Sequence, residues 1–135
     1  MNLYYIKDGR EEMQIEDIKY LLEQAYWANM REIETIKRSI DNSLCYGAFS
    51  MESGKQIGFS RVITDYATIY YICDVIVDEN YRGMGIGKAM LDAIHENKEI
   101  SSLRGILATR DAHELYRKYG FQDGGNIYMG KPRII

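Results

Sequence analysis

Apolar positions change their spacing several times along the chain, and each change marks an element. Leu3 to Ile6 reads as a short first strand. Ile15, Ile18, Leu22 and Ala25 recur at helical spacing, which predicts a helix over Ile15 to Trp27. A second helix is predicted over Met30 to Ile40, with Ile33, Ile36 and Ile40 on one face. Asp41-Asn42-Ser43 stops it with turn chemistry. Strand text follows over Leu44 to Met51, Gln56 to Thr64 and Thr68 to Val77, with turns at Ser53-Gly54 and Asp65. Such short turns make the three strands antiparallel neighbours. The third is almost unbroken in β-branched and aromatic residues, so it reads as a central strand buried on both faces.

Beyond Val77 the spacing turns helical again, through Ile86, Ala89, Met90, Ala93, Ile94 and Asn97. A short strand, Gly105 to Ala108, comes next. Strand, helix, strand implies a parallel pair with a right-handed crossover. A last helix, Asp111 to Tyr119, turns Ala112, Leu115, Tyr116 and Tyr119 inward, with Asp111 or Thr109 as N-cap and Gly120 as C-cap. Strand material begins at Phe121 and resumes over Ile127 to Met129. With no linker, repeat or low-complexity stretch, residues 1–135 read as one α/β domain: a mixed, mostly antiparallel central sheet with helices on both faces.

Composition supports a packed core and removes several functions. A chain of 135 residues, 46% of them hydrophobic, suits one domain that buries about two-thirds of its unfolded surface. The net charge of −3 and the scattered Lys and Arg speak against a nucleic-acid partner. No apolar run nears the roughly 18–20 residues of a bilayer span, and the N-terminal text lacks the pattern of a secretory signal. A cytoplasmic protein without membrane contact is therefore expected. Cys45 and Cys73 lie in apolar strand text and read as free buried thiols. His95 and His113 are the only histidines, there is no metal-ligand spacing, and no metal is expected.

The candidate chemistry sits where the central strand gives way to a helix: Asp78-Glu79-Asn80-Tyr81-Arg82-Gly83-Met84-Gly85-Ile86-Gly87-Lys88. Glycines let backbone approach a ligand closely, and a helix N-terminus offers unpaired N–H groups and partial positive charge to a phosphate. Arg82 and Lys88 add full charges. A P-loop is excluded, because Arg82 stands at its first glycine and Ala89 at its Mg²⁺-binding hydroxyl. A dinucleotide fingerprint is excluded, because its third glycine would be Lys88 or Met90. What remains is R-x-x-G-x-G, carried by Arg82, Gly85 and Gly87.

That motif, following a buried strand, resembles the acyl-CoA-binding motif of the GCN5-related N-acetyltransferase (GNAT) superfamily. The text from Ala108 to Phe121 resembles the superfamily's second hallmark, A-x-x-L-Y-x-K-x-G-F, and the likeness runs from about Gln56 to Phe121. It implies the GNAT fold and transfer of an acetyl group from acetyl-CoA to a primary amine, of a small molecule in the first instance. It implies that backbone groups of Val75, Ile76 and Val77 bind the pantetheine arm, and that Arg82, Gly83, Met84, Gly85, Ile86, Gly87 and Lys88 wrap the pyrophosphate. Thr109 is a lesser coenzyme A contact, and Asn80, Tyr81 and Met84 are candidates at the adenosine or pantetheine end. Tyr116 is the implied general acid for the departing thiolate. A strand N–H near Val77 is the implied oxyanion donor. A homodimer fits the resemblance, dimers being common among such proteins.

For the acceptor side, Tyr26 and Trp27 at the end of the first helix are candidate pocket walls. Asp74, a carboxylate inside a buried strand, is a candidate base or amine acceptor; the competing reading is a carboxylate satisfied by local donors. His113 lies one helical turn from Tyr116, and a solvated helix position is its plainer reading. Glu11, Glu12, Glu16, Asp17 and Glu23 read as a solvated face, although an acidic pocket suits a small amine. Two alternatives stay open at this level: a non-catalytic acyl-CoA-binding sensor, and transfer to a protein or peptide amino group.

Overall fold

Five strands form one sheet in the order β1-β2-β3-β4-β5: β1 (Tyr4–Asp8), β2 (Leu44–Ser50), β3 (Gln56–Thr64), β4 (Ile69–Val77) and β5 (Arg104–Ile106). They are seen in a computed structural model that describes residues 3–134. β1 through β4 pair antiparallel, and β5 pairs parallel with β4. Four α-helices complete the domain: α1 (Ile15–Leu22), α2 (Ile33–Asp41), α3 (Ile86–His95) and α4 (His113–Arg117). The mixed, mostly antiparallel sheet and its helices on both faces agree with the expectation.

The core lies on both faces of the sheet. On one, Ile18, Leu21 and Leu22 of α1 and Ile36 and Ile40 of α2 pack on Cys45, Phe49, Phe59 and Ile76. On the other, Ile86, Met90, Leu91 and Ile94 of α3 pack on Ala48, Ile57, Val62 and Ile72. Close seating of α3 needs a glycine beneath it: a Cβ on Gly58 would stand 3.1 Å from both Ala48 Cβ and Ile86 Cγ2. That contact fixes the height of the α3 N-terminus over the end of β4.

β4 is not a plain two-faced strand. Phe59 pairs with Ile76 and Arg61 with Cys73, so β4 spends one residue more than β3 over this stretch. The extra residue is a β-bulge, and Asp74 within it holds φ 56°, a left-handed conformation that Asp tolerates better than most residues. The bulge reverses the phase of the strand. Tyr70 and Ile72 pack with α3 and α4, as do Val75 and Val77 with α3, whereas Asp74 and Ile76 face the α1 side. Burial on both faces is therefore incomplete, and Tyr71 is 39% exposed.

Several boundaries depart from the sequence reading. The first strand is Tyr4–Asp8, because pairing with β2 runs from Tyr4–Ser50 to Asp8–Tyr46. α1 stops at Leu22, five residues before the predicted end. Past it the chain tightens into i→i+3 turns, with Ala25 N–H donating to Leu22 and Ala28 N–H to Ala25. α2 starts at Ile33 and not Met30, since Arg31 is drawn onto Asp74 and its carbonyl accepts from Lys19 Nζ at 2.6 Å. β5 is only Arg104–Ile106, and α4 only His113–Arg117. The strand expected at Ile127 to Met129 does not form: these side chains are 74–94% exposed, and among the described residues no strand pairs with them. No described helix is long and apolar enough to cross a membrane.

Candidate active site

β4 and β5 share only three register positions, Ile69–Arg104 to Tyr71–Ile106, and then diverge. The rest of β4 borders a cleft of about 1100 Å³. Its walls come from β4, from the segment after α1, from Arg82 and Gly87 at the start of α3, and from residues 108–112 leading into α4. Val75, Ile76, Val77, Thr109, Tyr26, Trp27, Asp74 and Tyr116 all line it.

Which peptide groups reach the cleft follows from alternation along β4. Asp78 N–H donates to Ile57 O, and Ile76 pairs with Phe59, so the peptide groups of both turn toward β3. Those of Val75 and Val77 alternate to the other side, toward the cleft. Of the three backbones expected there, Ile76 thus contributes wall and core and not free polar groups. The carbonyl of Val77 accepts from Arg82 Nε at 3.2 Å, which ties the loop to the strand end.

The loop from Arg82 to Lys88 has the form of an anion cradle. Gly83 and Gly85 hold φ 82° and 81°, and Gly85 is the α3 N-cap without a side-chain cap. Ala89 N–H is the first to bond back, to Gly85 O, which leaves earlier helix N–H groups open. Gly87 needs no special φ, and a Cβ there would meet only Val77 Cγ2 at 3.9 Å. Its missing side chain is therefore not explained by the protein's own packing, and it leaves room at the helix start for a phosphate. The side chains of Met84, Ile86 and Lys88 do not line the cleft, whereas Arg82 does. Ile86 is buried under α3, Lys88 pairs with Asp92 at 3.2 Å, and Met84 is 36% exposed.

Tyr116 forms part of the cleft wall from α4. Its ring is 8% exposed and packs edge-on against Phe121. No hydrogen bond among the described residues engages its hydroxyl, and burial with nearby Asp111 pushes its pKa up, so it stays protonated at neutral pH. α4 is held to α3 by Tyr119, whose hydroxyl donates to Asp92 Oδ1 at 2.6 Å. Thr109 caps the approach to α4, its Oγ1 accepting from Ala112 N–H at 3.0 Å; Asp111 does not take that role. His113 is exposed and stands outside the cleft.

Asp74 is enclosed by donors. Trp27 Nε1 donates to Oδ1 at 3.0 Å, while Arg31 and Arg61 both donate to Oδ2 at 2.6 Å. Burial alone would raise its pKa, but the two guanidinium groups more than offset this and hold it below the usual range. Of the two readings of Asp74, the geometry matches the carboxylate satisfied by local donors. Cys73 also borders the cleft, but burial pushes its thiol up to about 11, so it is not a thiolate at neutral pH. Both cysteines are free; Cys45 is buried and Cys73 only half-buried.

A family model described as an acetyltransferase (GNAT) domain matches residues 41–123, which span β2 through α4 and the whole cleft loop. The chain belongs to the GNAT acetyltransferase family. A GNAT-family protein from Xanthomonas campestris pv. campestris superposes with a TM-score of 0.89 and 36% identity, over 98% of this chain and 95% of its own. Glucosamine-6-phosphate N-acetyltransferase from Arabidopsis thaliana shares the fold, with a TM-score of 0.72 and 21% identity over 97% of this chain and 99% of its own. The histone acetyltransferase TAP1 of Glycine max is 25% identical over 124 residues, 82% of this chain and 53% of its own length. An N-acetyltransferase, ycf52, of Gracilaria tenuistipitata var. liui is 26% identical over 112 residues, 79% of this chain and 61% of its own. The chain thus spans between half and two-thirds of these two curated relatives.

Apart from Arg82, the GNAT motif does not point to the arginines of this cleft. Arg31, Arg61 and Arg110 all line it. A signal existed for one of them: Arg61 interrupts an apolar strand as Asp74 interrupts its neighbour, and two opposite charges in adjoining buried strands predict a pair. Arg31 and Arg110 sit in irregular segments, where spacing says nothing about direction.

Proposed function

We propose that this chain transfers an acetyl group from acetyl-CoA to a primary amine of a small molecule, with Tyr116 as general acid. The observation that carries the reading is the divergence of β4 from β5, which opens a cleft between the Arg82–Lys88 cradle and the unbonded Tyr116 hydroxyl. The peptide groups of Val75 and Val77 that alternate into the cleft suit an amide-bearing pantetheine arm. Left without partners in a protein interior they would be unfavourable. The open N–H groups and the space at Gly87 suit the pyrophosphate.

In this scheme a neutral amine nitrogen attacks the thioester carbonyl carbon, and the Val77 N–H stabilises the oxygen that gains charge. The carbon–sulfur bond then breaks, the Tyr116 hydroxyl proton passes to the thiolate, and the proton shed by the attacking nitrogen returns through solvent to the tyrosinate. At ordinary pKa values this transfer is uphill by about 2 kcal/mol, a cost a positioned site tolerates. Burial keeps the hydroxyl protonated at neutral pH and adds to that cost.

The test is thiol release from acetyl-CoA across a broad panel of small amines and peptides. Turnover of small amines with loss in Tyr116→Phe supports the reading. Tight coenzyme A binding with no transfer to any amine would instead make the domain a sensor. Transfer confined to peptides would reassign the acceptor.

A further inference from the structure

The acceptor end of the cleft carries an excess of positive charge. Arg31 and Arg61 share the one carboxylate of Asp74, through the same oxygen. Their side chains are only 17% and 13% exposed, and Asp74 is their only acidic partner among the described residues. Two guanidinium charges therefore face one carboxylate in a largely desolvated cluster. Such a shortfall is unfavourable unless an anion completes it.

The donors that remain free point to where that anion sits. Arg61 uses Nε on Asp74 and a terminal nitrogen on Ser43 Oγ at 3.2 Å. Arg31 uses one terminal nitrogen on Asp74 and offers its other donors. Arg110, from the opposite wall, lies 4.1 Å over the ring of Tyr26 and has no carboxylate partner among the described residues. Stacking by the face of a guanidinium leaves the N–H groups at its edge available to a planar or tetrahedral oxyanion. Tyr26 stands edge-on to Trp27 at 5.0 Å, and Trp27 donates to the same Asp74 that holds Arg31. Arg31 and Arg110 thus flank one aromatic pair.

We propose that the acceptor amine carries an anionic group, a carboxylate or a phosphate, held by Arg31 and Arg110 on either side of the Tyr26–Trp27 pair. This rests on the acetyl-transfer reading and narrows it to a substrate class: amino acids, phosphorylated amino sugars and amines of like charge. It makes this end of the cleft basic, where an acidic pocket would suit a simple small amine. A polycationic amine or a lysine-rich peptide tail meets repulsion here. The same positive field has a catalytic use, since a like charge nearby favours the neutral form of the incoming amine, which is the nucleophile.

The experiment uses matched acceptors with the full chain and acetyl-CoA: an α-amino acid against its carboxamide, and an amino-sugar phosphate against the free amino sugar. The anionic member should exceed its neutral partner in kcat/KM by about tenfold or more, and the responding pair identifies carboxylate or phosphate as the source. Arg110→Gln, an exposed substitution that leaves the core intact, should raise KM for the anionic acceptor by about tenfold while kcat and the neutral partner hold. Arg31→Gln should do the same, with Asp74 still paired to Arg61. Equal turnover of anionic and neutral partners, or an Arg110→Gln enzyme with unchanged KM, would overturn the assignment. Calorimetric binding of the same pairs to the coenzyme A complex decides the matter without turnover: equal or absent binding of the anionic members overturns it too. Coenzyme A binding measured alone reports on the transfer reading, so the two can fail separately.

Discussion

Replacing Asp74 with asparagine removes one charge and little else. Asparagine matches aspartate in size and also tolerates the left-handed φ of 56°. It keeps an oxygen for one donor but cannot counter two guanidinium groups whose side chains are 13% and 17% exposed. Removing one partner of a buried ion pair costs about 3–5 kcal/mol, and the lower end applies here because shape and one hydrogen bond persist. At about 2.1 cal/mol/K per residue, unfolding of a domain this size carries roughly 0.28 kcal/mol/K, so 3 kcal/mol lowers Tm by about 10 °C. The pH dependence has a definite sign. The folded pKa of Asp74 lies below its unfolded value of about 3.9, so its contribution is complete above that value and is lost as pH falls through the folded pKa. The gap between wild type and Asp74→Asn should be constant from pH 6 to 8 and narrow below about pH 4. Thermal unfolding across that range, followed by circular dichroism, measures both. A variant within about 2 °C of wild type at pH 7 would refute the idea that this carboxylate anchors the wall.

Tyr116→Phe should lower kcat by about 10²–10⁴-fold with coenzyme A affinity unchanged; equal turnover removes the hydroxyl from the chemistry. Gly87→Ala should separate folding from binding. A Cβ there meets only Val77 at 3.9 Å, so stability rises by about 0.5–1 kcal/mol while coenzyme A affinity falls; a parallel rise in both would show that the space is not a phosphate seat. Tyr119→Phe removes the 2.6 Å bond to Asp92 and should cost about 1 kcal/mol in denaturant unfolding, with the Asp92 pKa rising toward the ordinary carboxylate range by NMR titration while Lys88 still holds it down.

The glycine-loop half of the candidate site was legible in the sequence as backbone geometry, because its signal is local. Glycines at fixed offsets after a strand report backbone geometry, and α3 follows with an apolar face of clear period. The acceptor half was not, because its parts come from distant segments in irregular backbone. Trp27 and Arg31 reach Asp74 from 47 and 43 residues away, and only the packed sheet brings them together. The same long-range pull explains the two helices that end or start away from their predicted bounds. Periodicity marks Ala25 as apolar, but it cannot show that Trp27 and Arg31 leave the helix to serve a carboxylate on β4. Nor could it show the bulge, since one extra residue leaves the composition of the strand unchanged.

The bulge at Asp74 makes β4 one residue longer than its ladder with β3 requires. Deleting Asp74 would restore a straight ladder in which Ile76 still pairs with Phe59 and Val77 with Gly58, so the strand end and the glycine loop would keep their places. Helix α3 would keep its seat on Gly58. The peptide groups of Val75 and Val77 would still turn toward the cleft, and the loss would fall on the carboxylate that gathers Trp27, Arg31 and Arg61. The extra residue therefore serves the cleft wall rather than the sheet.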